Sequence, residues 1–299
     1  MDSINWRGVF PAVTTKFNGD FSLDFDAMAQ HLAFQLDAGV HGIIILGSLG
    51  ENATLDTAEK LELVRFFVER IQGRVPLVAC IAESGTREAL QFLVAATHAG
   101  ADGFMLLPPM RYTGDQRETL EYLRTVGKAS QRPVMLYNNP VAYGTDLAPA
   151  DFASLADVTA FEAIKESAAD TRRFPEISRQ CGDRYTLLCG VDDLAYECFS
   201  LGATGWVAGL VVAFPRETIR LYELMMAARW REARELYTWF LPLLHLDIGP
   251  KFVQQIKLVE ELHGVGSSRV RAPRLSLEGG EADHVRQVYE QAMATHPLL

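Results

Sequence analysis

A lysine stands inside a short apolar run, Phe161-Glu162-Ala163-Ile164-Lys165-Glu166-Ser167. Strand alternation puts Phe161, Ala163, Lys165 and Ser167 on one face and Glu162, Ile164 and Glu166 on the other. An ordinary lysine is neutral in only about one molecule in 2,500 at pH 7. Desolvation on an inward face would lower that barrier and free the amine to attack a carbonyl or imine carbon. The bland reading is a strand-end lysine that reaches solvent and pairs with Glu166 or another carboxylate.

Two further stretches carry usable chemistry. Tyr137 opens Tyr137-Asn138-Asn139-Pro140, on the same strand face as Met135 and Pro133. Its phenol could pass protons to and from a carbinolamine if hydrogen bonds match its pKa to the task; alternatively it is a core tyrosine with a satisfied hydroxyl. Gly47-Ser48-Leu49-Gly50-Glu51 offers small residues, a hydroxyl and several backbone amides, a set suited to a carboxylate. Glu51 itself reads better as part of a buried structural network.

These residues need a scaffold that brings strand ends together. Short apolar runs alternate with amphipathic stretches of helical length, which predicts repeated βα units. Strands are expected at residues 8–15, 42–47, 75–82, 103–108, 133–138, 161–167, 185–190 and 205–209. Helices are expected to begin near Asp24, Thr57, Thr86, Gln116, Pro149, Thr171, Asp192 and Pro215. Asp56 before Thr57-Ala58-Glu59, and Thr86 before Arg87-Glu88, are start signals. Eight units predict an α/β fold, a (β/α)8 TIM barrel over residues 1–228, with chemistry at the C-terminal strand ends. Lys165, Tyr137 and the Gly47–Glu51 loop all fall on that rim. Residues 229–299 read as a C-terminal three-helix extension packed on the barrel.

Composition narrows the function. The 299 residues are 48% apolar and 22% charged, as in an ordinary globular protein. A net charge of -10 and a pI near 5.2 argue against nucleic-acid binding. No run is long enough to span a membrane and the N-terminus has no apolar signal core, so a cytoplasmic location is expected. The four cysteines form no CxxC pair, and the seven histidines show no metal-ligand spacing. Asp192 and Asp193 are expected to cap the helix after the seventh strand, His245 and Asp247 to form a helix-end pair, and Lys257 to be structural.

With order and spacing added, the chain resembles the class I aldolase family of dihydrodipicolinate synthase and N-acetylneuraminate lyase over nearly its whole length. The matching pieces are Gly47-Ser48-Leu49-Gly50-Glu51, Tyr137-Asn138-Asn139-Pro140, Ile164-Lys165-Glu166-Ser167, Gly190-Val191-Asp192-Asp193 and Gly202-Ala203-Thr204-Gly205. The resemblance implies that Lys165 forms an imine with a 2-oxo acid, that Tyr137 relays protons, and that the Ser48 hydroxyl and Leu49 amide hold the carboxylate. It also implies substrate contacts at Gly190 and Val207, no cofactor beyond the covalent imine, no metal, and a homotetramer built as a dimer of dimers.

Departures from the family pattern refine the substrate. Ala142 stands where the synthases carry a carboxylate-binding arginine, and Leu49 replaces the second threonine hydroxyl of their proton relay. Pro108-Pro109-Met110-Arg111-Tyr112 offers one tyrosine where they have two, leaving Tyr112 and Arg111 as candidate contacts. The opening Asn5-Trp6-Arg7-Gly8-Val9-Phe10-Pro11 and the tail Trp239 to Asp247 with Gln255-Ile256-Lys257 look like the Δ1-pyrroline-4-hydroxy-2-carboxylate deaminases, implying a cyclic imino acid substrate. Alternatives are a 2-oxo-3-deoxy sugar acid dehydratase, a retro-aldol lyase, and a binding or regulatory protein that has lost catalysis.

Overall fold

Eight short runs rich in Val, Ile, Leu and Phe form the strands of one sheet: β1 (Gly8–Pro11), β2 (Ile43–Ile45), β3 (Leu77–Ile81), β4 (Gly103–Leu106), β5 (Val134–Asn138), β6 (Phe161–Glu166), β7 (Thr186–Cys189) and β8 (Gly205–Ala208). A computed structural model describes residues 3–109, 111–112 and 114–297; Met1 and Asp2, part of the N-terminal stretch read above, lie outside them. The strands are buried on both faces, which is why they read as continuous apolar runs rather than alternating ones.

All neighbouring strands pair in parallel, in the order β1-β8-β7-β6-β5-β4-β3-β2. A parallel bridge between Ala12 and Ile44, with the Val13 amide donating to Ile44 O at 2.9 Å, joins the two ends. The result is a (β/α)8 barrel. Register across β5 and β6 sets Tyr137 beside Lys165.

Helices cover the barrel at Phe25–Asp37, Thr57–Ile71, Thr86–His98, Gln116–Ala129, Pro149–Ser154, Arg173–Cys181, Ala195–Ser200 and Pro215–Met226. The helix from Thr57 starts with a capping box: Asp56 accepts from the Glu59 amide at 2.8 Å and the Glu59 carboxylate accepts from the Asp56 amide at 3.1 Å. Its inner stripe of Leu63, Val64, Phe67 and Ile71 is buried. The helix from Thr86 begins where expected, with Gly85 at its cap and no side-chain bond there.

Two other differences matter for the site. Strands end earlier than the apolar runs, because residues such as Gly47 and Ser48 leave the ladder to line the mouth. A further short helix, Pro140–Tyr143, follows β5.

Three more helices, Trp230–Leu244, Phe252–Leu262 and Gly280–Ala294, form the tail. Phe214 anchors them, with its ring centroid 5.8 Å from Phe240 and 4.6 Å from His263. Two fully buried ion pairs tie the middle helix to the rim, Lys16 Nζ with Glu260 and Lys257 Nζ with Glu51, both at 2.5 Å. Among the described residues, no helix is long and apolar enough to cross a membrane.

Candidate active site

Lys165 is only 7% exposed, and its ammonium position lies 4.0 Å from the centre of the Tyr137 ring. Burial lowers its pKa, while the neighbouring Tyr143, Asp247, Cys80 and Asp192 oppose that shift. The bland alternative, a pairing with Glu166, does not occur. Glu166 points the other way and accepts from Asn138 Nδ2 at 3.1 Å and from the Ala168 amide at 2.7 Å. Gly190 makes room for the lysine: a β-carbon there would lie 2.6 Å from Lys165 Cε and 2.0 Å from Ser167 Oγ.

Tyr137 is held by its own loop. Asn139 caps the Pro140–Tyr143 helix, accepting from the Ala142 amide at 3.0 Å, and its Nδ2 donates to the Tyr137 hydroxyl at 3.0 Å. Pro140 starts that helix with no amide to waste. Burial pushes the Tyr137 phenol up to about 12, against hydrogen bonding that favours its ionised form.

The same short helix delivers Tyr143, whose ring stands edge-on to Tyr137 at 5.7 Å between centroids. Its hydroxyl lies 2.5 Å from Ser48 Oγ. Leu49 offers no hydroxyl beside Ser48, and Tyr143 places one there. Composition gave no signal for it; only the turn at Asn139-Pro140 could have found it.

The Gly47–Glu51 loop is fixed from behind. Glu51 has a left-handed backbone, φ 56°, and is fully buried, accepting from Lys257 Nζ and from the Arg271 amide at 2.9 Å. Asn52 Nδ2 donates to Leu46 O at 2.9 Å, and Thr15 Oγ1 to Gly50 O at 2.7 Å. Among the described residues, the Ser48 and Leu49 amides have no backbone acceptor.

Two expectations about acidic residues are corrected. Asp192 caps the turn after β8 instead of its own helix: it accepts from Trp206 Nε1 at 2.9 Å and from the Leu210 amide at 2.8 Å. His245 faces Asp193 at 3.7 Å, not Asp247. Asp247 turns into the barrel mouth, where burial, with repulsion from Asp192, holds its carboxyl well above the usual range while Lys165 opposes the shift.

These groups line one cavity of about 750 Å³, which takes in Ser48, Leu49, Tyr137, Tyr143, Lys165, Gly190, Val207, Ala142 and Asp247. Arg111 and Tyr112 stand outside it. Both are exposed, and the Tyr112 hydroxyl donates to Glu118 at 3.1 Å. Among the described residues, no three His, Cys, Asp or Glu side chains are placed to hold a metal ion.

Residues 5–292 match the model of the dihydrodipicolinate synthetase family. A 4-hydroxy-tetrahydrodipicolinate synthase of Methanothrix thermoacetophila is 30% identical over 95% of this chain and 96% of its own length. One from Methanospirillum hungatei is 31% identical over 90% of this chain and 93% of its own. The dihydrodipicolinate synthase of Aquifex aeolicus superposes with a TM-score of 0.91 at 26% identity, covering 95% and 97% of the two chains. YagE of E. coli K12, solved in complex with pyruvate, gives a TM-score of 0.90 at 26% identity over 97% and 99%. The chain belongs to the dihydrodipicolinate synthetase family, a family of lysine Schiff-base lyases with the class I aldolase fold.

Proposed function

We propose that Lys165 forms an imine with a small 2-oxo or cyclic imino acid, and that the substrate is Δ1-pyrroline-4-hydroxy-2-carboxylate, converted to 2-oxoglutarate semialdehyde and ammonia. The observation that carries the imine is the buried Lys165 amine over the Tyr137 ring, beside the Ser48–Tyr143 hydroxyl pair. YagE, solved in complex with pyruvate, supports a small 2-oxo acid as the class of substrate.

The neutral amine attacks C2 and the ring C2–N bond breaks, exchanging one imine for another and freeing the ring nitrogen as a primary amine. The substrate carboxylate rests on the Ser48 hydroxyl and the Leu49 amide. The iminium acidifies C3; Tyr137 carries that proton, with Tyr143 and Ser48 as the next hydroxyls in line. The resulting enamine expels the C4 hydroxyl as water. The unsaturated amine then tautomerises to a C5 imine, and water cleaves both this imine and the lysine adduct. One water leaves and two enter, which balances aldehyde and ammonia. The protein-bound imine is the electron sink, so the scheme calls on no cofactor.

Substrate choice rests on this chain's own residues. Ala142, at the arginine position of the synthases, puts a methyl at the cavity wall, so that position offers no cation for a second carboxylate. Relatives named as synthases favour the second reading, carbon–carbon lyase or synthase chemistry on the same imine. A homotetramer arranged as a dimer of dimers completes the proposal, covering Tyr112, which is 61% exposed in the single chain.

The test is an assay of Δ1-pyrroline-4-hydroxy-2-carboxylate that follows ammonia and semialdehyde together, beside open-chain 3-deoxy-2-oxo sugar acids and pyruvate-yielding aldols. Equal ammonia and semialdehyde, lost in Lys165→Ala, support the deaminase. Dehydrated product from the sugar acids alone, or pyruvate from the aldols, overturns the substrate and leaves the imine.

A further inference from the structure

We propose that Asp247, carried into the barrel mouth by the C-terminal extension, delivers the proton that lets the C4 hydroxyl leave as water from the Lys165-bound substrate. This rests on the deaminase reading above and adds to it the acid for its central step.

Geometry supports the role from both sides of the residue. Asp247 ends the short turn His245–Asp247 that follows the first tail helix, and it lines the same cavity as Lys165, Tyr137 and Gly190. A space is kept for it at the end of β8. A β-carbon on Gly209 would lie 2.4 Å from Asp247 Oδ1, yet Gly209 has φ -94°, a conformation open to any residue. The backbone does not require glycine there; the carboxyl group does. The second acid nearby, Asp192, is committed to Trp206 Nε1 and to the Gly209 and Leu210 amides, so it has no free oxygen pair for substrate.

Charge follows the same logic. The titratable groups around Asp247 are Asp192, Lys165, Asp193 and Tyr137, and His245 faces Asp193. Burial and the neighbouring Asp192 and Asp193 favour the protonated form of Asp247, and its place in the cavity lining lets a carboxyl there pass a proton to the leaving C4 oxygen. In the step, the enamine pair forms C3=C4 as the C4–O bond breaks. The oxygen takes the Asp247 proton and departs as water, and the lysine nitrogen regains its iminium charge. Asp247, now a carboxylate, recovers a proton from C5 as the unsaturated amine tautomerises.

The experiment compares two reactions of one variant. Pyruvate has a carbonyl and an acidic methyl but no hydroxyl to expel, so exchange of its methyl protons for deuterium reports imine and enamine formation alone. Asp247→Asn should lower turnover of Δ1-pyrroline-4-hydroxy-2-carboxylate by about 10²–10⁴-fold and lower pyruvate exchange far less. Borohydride trapping during that slow turnover should yield an adduct that still carries the hydroxyl. Gly209→Ala, which crowds the carboxyl without removing it, should move turnover in the same direction. Unimpaired turnover in Asp247→Asn, or a parallel fall in turnover and pyruvate exchange, overturns the inference alone. Absence of any borohydride adduct in the wild-type protein removes the imine reading and this inference with it.

Discussion

At the scale of the residue, the site is a set of ordinary groups made useful by water exclusion. A lysine amine is a nucleophile only when neutral, and burial moves Lys165 in that direction. Tyr137→Phe keeps the ring under the amine and removes the hydroxyl. Turnover should fall by about 10²–10⁴-fold, while a borohydride-trappable adduct still forms, read by intact mass. Gly190→Ala attacks the same centre sterically, since the new methyl would fall on Lys165 Cε; single-turnover measurements should show slow imine formation rather than slow later steps. Lys165 and Tyr137 were legible in the sequence because strand alternation and an Asn-Pro stop mark them. Tyr143 was not, since a four-residue helix leaves no periodicity to read.

At the scale of the element, loops hold the chemistry and distant helices hold the loops. Lys257 and Glu51 are 206 positions apart, both fully buried, and join the second tail helix to the loop that carries Ser48. Lys257→Met should leave the buried Glu51 with only the more distant Arg274, at 3.8 Å, as a cationic partner and cost about 3–5 kcal/mol, whereas adding Glu51→Gln should recover most of it. Chemical denaturation of the two variants checks this; equal stability of single and double variants would contradict the pairing. The alternation of strands and helices was visible from apolar runs and Asp caps. The inward turn of Asp247 was not, because it depends on packing the tail against β8 rather than on any local signal.

At the scale of the whole molecule, buried titratable groups shape stability against pH. Glu166 is raised from 4.5 to about 7 by burial, so the folded state keeps a proton that the unfolded chain releases. That contribution is present below pH 4.5 and is lost as pH rises through about 7. His31, lowered to about 4 by burial and by Lys16, has the opposite sign: its contribution is present above pH 6.5 and is lost as pH falls. Glu166→Gln mimics the protonated form. Relative to the wild type it should gain up to about 3 kcal/mol between pH 5 and pH 8, measured by urea denaturation at both pH values, and no relative gain would contradict the assignment. The barrel as a whole was legible from eight repeated units. That its mouth is finished by the tail, with Asp247, Phe252 and Arg274 in the lining, follows only from the folded chain.

The most direct test of the account is borohydride reduction in the presence of pyruvate, followed by peptide mass mapping. The account predicts one reduced adduct, located on Lys165 and absent in Lys165→Arg. An unmodified Lys165, or an adduct of equal yield on another lysine such as Lys257 or Lys16, would contradict it.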